Sequence, residues 1–200
     1  FNRMPLQWTL TANQRASVQE IADGHPALMQ NACYLLYSTL RGGQTPVANV
    51  KKLAGDFANA TEHVFRNAWE FSTEVEQMLL MLVALSHLDG RLNQTRQYKL
   101  NDVGIIFSQY ERELHDLEER GVLKRTTEQG KDVYSFASSI REWWVIKEIE
   151  NSKDEAELQQ REKVFFNLLG RKQAEQIKNV MKQVWQNKDV ATAIVGWAGK

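Results

Sequence analysis

The run Met78 to Leu85, eight residues without a polar side chain, limits what this chain can fold into more than any other feature. It is entered through Thr73-Glu74-Val75-Glu76. In that Thr-x-x-Glu spacing each end satisfies a backbone N–H that the first helical turn leaves open. The spacing predicts a helix that opens after Thr73 and stops at Asp89-Gly90. A helix apolar all round is buried on most sides, so this one is expected at the centre of its domain.

Upstream, the apolar spacing is helical throughout. Val18, Ile21 and Ala22 mark a helix between Leu10 and Gly24, with Gly24 suited to a C-terminal cap. His25-Pro26 restarts the chain, proline being suited to a first helical position, and Leu28, Ala32, Leu35, Leu36 and Leu40 carry a second helix to Arg41-Gly42-Gly43. Thr45-Pro46 repeats the device, and Val50, Leu53, Phe57, Thr61, Val64, Phe65 and Ala68 stripe a third helix ending near Trp69.

Downstream of the apolar run, Leu100 to Ile106 predicts a short helix. Ser108 to Glu111 is a second capping-box spacing, followed by a helix striped by Tyr110, Leu114 and Leu117 that ends at Gly121. Then the period changes. Val122 to Thr126 and Val133 to Phe136 are short β-like runs joined by the turn Glu128-Gln129-Gly130-Lys131. Ser139 to Glu142 caps a further helix bearing Ile140, Trp143, Trp144 and Ile149. Three helices followed by a hairpin is the order of a winged helix-turn-helix. Asn151 to Gln160 is polar, a linker or a solvated helical start. Leu158, Phe165, Leu168 and Leu169 give one stripe closed by Gly170, and Ala174, Ile177, Val180, Met181, Val184 and Trp185 give another, before a short apolar end from Val190 to Trp197.

Several function classes find no support. The 25 basic residues balance 25 acidic ones, so no whole-chain charge calls for a nucleic acid or an anionic membrane. No membrane span is expected, because the longest uncharged stretch, Gly24 to Leu40, contains His25, Gln30, Asn31, Ser38 and Thr39. Cys33 is the single cysteine and lies in a helical stripe. It reads as a small core residue in a chain suited to a reducing cytoplasm. His25, His63, His87 and His115 have no Cys or His neighbour at zinc-ligand spacing, so no metal site is expected; His63 and His87 adjoin apolar stripes and read as structural. No Gly-x-Ser-x-Gly or Ser/His/Asp grouping is present, and no catalytic residue is assigned.

Two passages carry a resemblance. Ala22-Asp23-Gly24-His25-Pro26-Ala27-Leu28-Met29-Gln30 is similar to the Gly-Gly-His-Pro-x-x-Leu-Gln passage in the helical lid of STAND-type and related AAA-like bacterial and archaeal ATPases. Leu114-His115-Asp116-Leu117-Glu118-Glu119-Arg120-Gly121-Val122-Leu123, then the hairpin and Phe136 to Trp144, resembles the winged helix that follows it in those proteins. The likeness spans residues 10 to 150 in element order. It implies a mainly α chain in three parts: a helical lid-like unit over 1–70, a winged helix-turn-helix with a small β-hairpin over 71–150, and a helical C-terminal extension over 151–200. It also implies that Gly24, His25 and Pro26 lie near a nucleotide; for His25, a histidine merely opening the helix of Pro26 is the alternative. The family's P-loop, Gly-x-x-x-x-Gly-Lys-Ser/Thr, is not found: Gly199-Lys200 ends the sequence, with Ile194 where the first glycine belongs. ATP or ADP is therefore implied only for a core upstream of Phe1, and this piece by itself is not expected to be an enzyme or to hold a cofactor.

The expected function is regulatory: the C-terminal region of a multidomain signalling ATPase, with the upstream ATP-binding domain, a protein partner or a second copy as its contacts. The alternatives are a DNA-binding winged helix of a transcription or replication factor and an adaptor with no nucleotide partner. Charge separates the first two. The helix that would enter the DNA groove, Gln109 to Arg120, carries Glu111, Glu113, Asp116, Glu118 and Glu119 against Arg112 and Arg120, a net of −3. The hairpin returns +1, from Lys124, Arg125 and Lys131 against Glu128 and Asp132. From Phe71 to Glu150 ten basic residues face fourteen acidic ones, net −4, which is the wrong sign beside phosphate. Glu111, Glu113, Asp116, Glu118 and Arg120 are thus candidates for a protein interface. Trp143 and Trp144 join them, because adjacent helical residues cannot both point to the same side.

Overall fold

The computed structural model describes residues 11–22, 26–41, 50–88, 103–128, 130–150 and 155–186. These comprise α1 (Ala12–Ala22), α2 (Pro26–Arg41), α3 (Val50–Glu70), α4 (Glu74–His87), α5 (Val103–Gln109) and α6 (Glu111–Glu119). There follow β1 (Leu123–Glu128), β2 (Lys131–Phe136), α7 (Ser139–Glu150), α8 (Glu155–Leu168) and α9 (Arg171–Gln186). The fold is mainly α with one small antiparallel hairpin, as the sequence predicts.

The apolar run is the centre. Every residue from Met78 to Leu85 is buried, and α4 touches α5, α6, β2, α7, α8 and α9. Its capping box forms in both directions: Thr73 N–H donates to Glu76 Oε2 at 2.7 Å, and Glu76 N–H donates to Thr73 Oγ1 at 3.2 Å. The second hub is α7, which packs on α4 and α9 and also on α1 and α3. Trp144, buried on α7, meets the rings of Trp69 at 5.8 Å and Phe65 at 6.5 Å on α3. Buried residues from Val18 to Val184 form one hydrophobic cluster, so the described parts of the segments 1–70, 71–150 and 151–200 share a core.

The hairpin register pairs Leu123 with Phe136 and Glu128 with Lys131, which leaves a two-residue connection. Gly130 closes it at φ 75°, a value that side-chain-bearing residues seldom adopt. The end of α6 is equally specified by glycine. Gly121 sits at φ 65°, its N–H bonds to Glu118 O at 2.9 Å, and Val122 N–H bonds to Leu117 O at 2.9 Å. This pair of bonds is the Schellman motif, and it turns the chain from α6 into β1. A Cβ on Gly121 meets nothing within 4 Å, so Gly121→Ala should lose only backbone energy. The expected loss is about 1–2 kcal/mol in chemical denaturation.

Three local expectations are corrected. The short helix expected over Leu100 to Ile106 runs instead over Val103–Gln109, residues 100–102 lying outside the described ones. Ser108 is consequently inside α5, and its hydroxyl donates to Ile105 O at 2.9 Å. The expected Ser108–Glu111 capping box is not made: α6 begins after Tyr110, which has φ −122° and no side-chain cap. Tyr110 instead donates its hydroxyl to Leu168 O at 2.9 Å, anchoring the α5–α6 joint on the end of α8. The cap of α7 comes one residue early, from Ser138, whose Oγ accepts Arg141 N–H at 3.4 Å while Ser139 is already helical.

Apolar stripes give the tail helices their inner faces, with Phe165, Leu169, Ala174, Ile177, Val180, Met181 and Val184 buried. Cys33 is half-buried and packed against the core, as its stripe suggests. No helix among the described residues is long and apolar enough to cross a membrane. Gly24, His25, the Thr45-Pro46 and Asp89-Gly90 signals and the Val190–Trp197 end lie outside the described residues.

Candidate functional site

α6 has two faces because Leu114 and Leu117 recur at a spacing of three and point inward, both fully buried. Its other side is solvated. Glu111, Arg112, His115, Asp116, Glu119 and Arg120 are exposed, and Glu113 and Glu118 are half-buried. Of the acidic residues singled out in the sequence, Glu111, Asp116 and Glu119 are thus solvated, Glu113 and Glu118 lie at the margins of the buried stripe, and α6 packs against β1.

Two basic side chains beside this surface, Arg125 and His115, lie close to carboxylates. Arg125 on β1 places Nε 3.7 Å from Glu118 Oε2 and Nη1 3.7 Å from Asp132 Oδ2. His115 lies 3.7 Å from Glu118 Oε2 and 3.4 Å from Glu119 Oε1. Pairs this exposed add little stability, but those of Arg125 set its guanidinium near carboxylates of both α6 and β2. Glu118 and Glu119 crowd the C-terminal, partially negative end of α6, which favours a cation nearby. Burial, with Asp132 adding to it, holds the Tyr134 phenol above its ordinary range, so Tyr134 stays uncharged and its ring stacks edge-on to Phe107 at 5.4 Å.

Arg120, a candidate interface residue, has an internal role. Its guanidinium pairs with Glu76 Oε1, tying the end of α6 to the start of α4. The same carboxylate thus completes a helix cap and holds an arginine. The two tryptophans of α7 differ in burial, Trp144 belonging to the core and Trp143 packing only partly against it. Trp144 faces α3, while Trp143 is half-buried with Lys147 Nζ 4.5 Å from its ring centroid. Only Trp143 remains for an outer contact. Of Gly24, His25 and Pro26, Pro26 lies among the described residues, as the exposed first residue of α2.

Two features escaped the sequence reading. His87 on α4 sets Nδ1 3.1 Å from Glu142 Oε1 on α7, a half-buried link between residues 55 apart in the chain. His63, by contrast, is exposed on α3, so its expected structural role is not supported there. The other is Phe71, 85% exposed in the α3–α4 turn. Among the described residues no group of three His, Cys, Asp or Glu side chains is placed to hold a metal ion.

The sequence matches no protein-family model, and neither curated proteins nor solved structures show significant similarity to it.

Proposed function

We propose that this chain is a regulatory, protein-facing region of a multidomain STAND-like signalling ATPase, acting in the cytoplasm and packing on a nucleotide-binding core outside these 200 residues. In this reading α4 to α7 with the hairpin form a winged helix whose α6 meets protein. The observation that carries it is the exposed carboxylate face of α6, with Arg120 and Arg125 both engaged by carboxylates of the same chain. A helix that enters a DNA groove sits against closely spaced phosphates and needs the opposite sign. The lid-like passage Gly24-His25-Pro26, which resembles its counterpart in those ATPases, supports the nucleotide half of the reading.

Titration calorimetry tests that half. The 200-residue chain is expected to show no ATP or ADP binding in the micromolar range, because the sequence contains no phosphate-cradling loop. Micromolar binding would overturn the assignment of the nucleotide site to another segment. In the parent protein, replacing His25 or Pro26 should change ADP release; an unchanged rate would reduce both to helix-start residues. Reversing Glu111, Asp116 and Glu119 to lysine tests the other half. All three are exposed, so stability should move by no more than about 0.5 kcal/mol each, while activation of the parent ATPase shifts. Unaltered activation would contradict a role for this face.

A further inference from the structure

Phe71 is held in the open by a turn with little freedom. Its N–H bonds to Asn67 O at 3.0 Å, Ser72 Oγ donates to Ala68 O at 2.8 Å, and Ser72 N–H donates to Trp69 O at 3.0 Å. Gln77 Nε2 donates across the turn to Trp69 O at 2.8 Å and Ser72 O at 3.3 Å, and the Thr73–Glu76 box locks the next residue. The fixed backbone of the turn loses little conformational freedom when the exposed ring is bound, a condition that favours an aromatic anchor at an interface. Exposed Glu70 and Glu74 stand on either side of it.

The complementary surface occurs on the same chain. At the α8–α9 corner Phe166 and Leu168 are only partly covered, and Lys163, Arg171 and Lys172, close to them in sequence, are exposed, with Arg171 Nε 3.6 Å from Glu175 Oε1 on its own helix. The two patches lie at opposite ends of α6. Arg120, at its C-terminal end, is tied to Glu76 beside the Phe71 turn, whereas Tyr110, at its N-terminal end, is tied to Leu168 at the corner. The nine residues of α6 separate them by about 13 Å of helix, so one molecule does not close the contact on itself.

We propose that this chain self-associates head to tail, Phe71 of one copy seating on the Phe166–Leu168 corner of a second, with Glu70 and Glu74 against its Lys163, Arg171 and Lys172. The charges fix the orientation and make the contact sensitive to salt. Different patches meet, so the interface is heterologous and builds a ring or a chain rather than a two-fold dimer.

Sedimentation velocity of the full chain over rising concentration tests this. Association that weakens with added salt is expected. Phe71→Ser should weaken it about thirtyfold, as loss of an aromatic anchor does, with an unchanged far-UV spectrum and melting temperature. Glu70→Lys/Glu74→Lys, and separately Lys163→Glu/Arg171→Glu/Lys172→Glu, should each be monomeric alone and associate when mixed, because each then offers the other its complement. A wild-type chain monomeric at every concentration overturns the proposal. So does association indifferent to Phe71→Ser, or a mixture of the two reversed variants that stays monomeric.

Discussion

Trp144→Ala is expected to lower the unfolding free energy by about 3–5 kcal/mol, the range for emptying a buried aromatic site. Trp144 is 5% exposed and fills the space between α7 and α3 against Phe65 and Trp69. Arg141 of α7 also reaches the Phe65 ring, at 5.7 Å, but Trp144 meets both rings, so the cavity opens where α3 joins α7. Trp143→Ala removes a half-buried ring and a cation–π contact with Lys147, and should lose only about 1 kcal/mol. Urea denaturation followed by far-UV circular dichroism measures both. Equal losses, or a larger loss at Trp143, would mean that α7 presents the other ring to the core.

Glu76→Ala should remove about 2–3 kcal/mol, because one carboxylate serves two contacts. Its Oε2 accepts Thr73 N–H in the capping box, worth about 1 kcal/mol, and its Oε1 holds Arg120, a charge-assisted bond worth about 1–2 kcal/mol. The Arg120 side chain is 44% exposed and its partner 11%, so the two deletions are unequal in kind. Without Glu76 the guanidinium turns to water. Without Arg120 a nearly buried carboxylate keeps only the Thr73 N–H, and Arg120→Ala should therefore be destabilising as well. A double-mutant cycle separates cap from pair: the Glu76–Arg120 coupling should be near 1 kcal/mol, and the remainder of the Glu76→Ala loss belongs to α4. Additive losses would leave the cap as the sole role of Glu76.

What the sequence disclosed was set by distance along the chain. The Thr73–Glu76 box, the Gly121 helix end and the Gly130 turn each depend on residues within five positions of one another, and each was read correctly. The apolar run placed α4 at the centre because no face was left for water. Cap choice was harder. Ser138 and Ser139 are chemically equal candidates, and Ser108 has the spacing of a cap yet bonds within its own helix. Long-range partners have no local signature at all. Tyr110 finds a carbonyl 58 residues on, His87 a carboxylate 55 away, and Arg120 a carboxylate 44 back. The surface was legible in part: the sign of α6 and the splitting of Trp143 from Trp144 followed from charge and helical geometry. That Trp144 faces inward, that Arg120 pairs with Glu76 of α4 and that Phe71 stands in solvent required the packed chain.

The claim at the centre of this account is that α6 faces protein and not nucleic acid. A fluorescence-anisotropy titration of the chain with random-sequence duplex DNA at low salt tests it where electrostatic attraction is strongest. The account predicts no detectable binding, since the exposed carboxylates of α6 repel phosphate and Arg125 of the hairpin lies between Glu118 and Asp132. Submicromolar affinity falling steeply with added salt would contradict it, and would assign the hairpin and α6 to DNA.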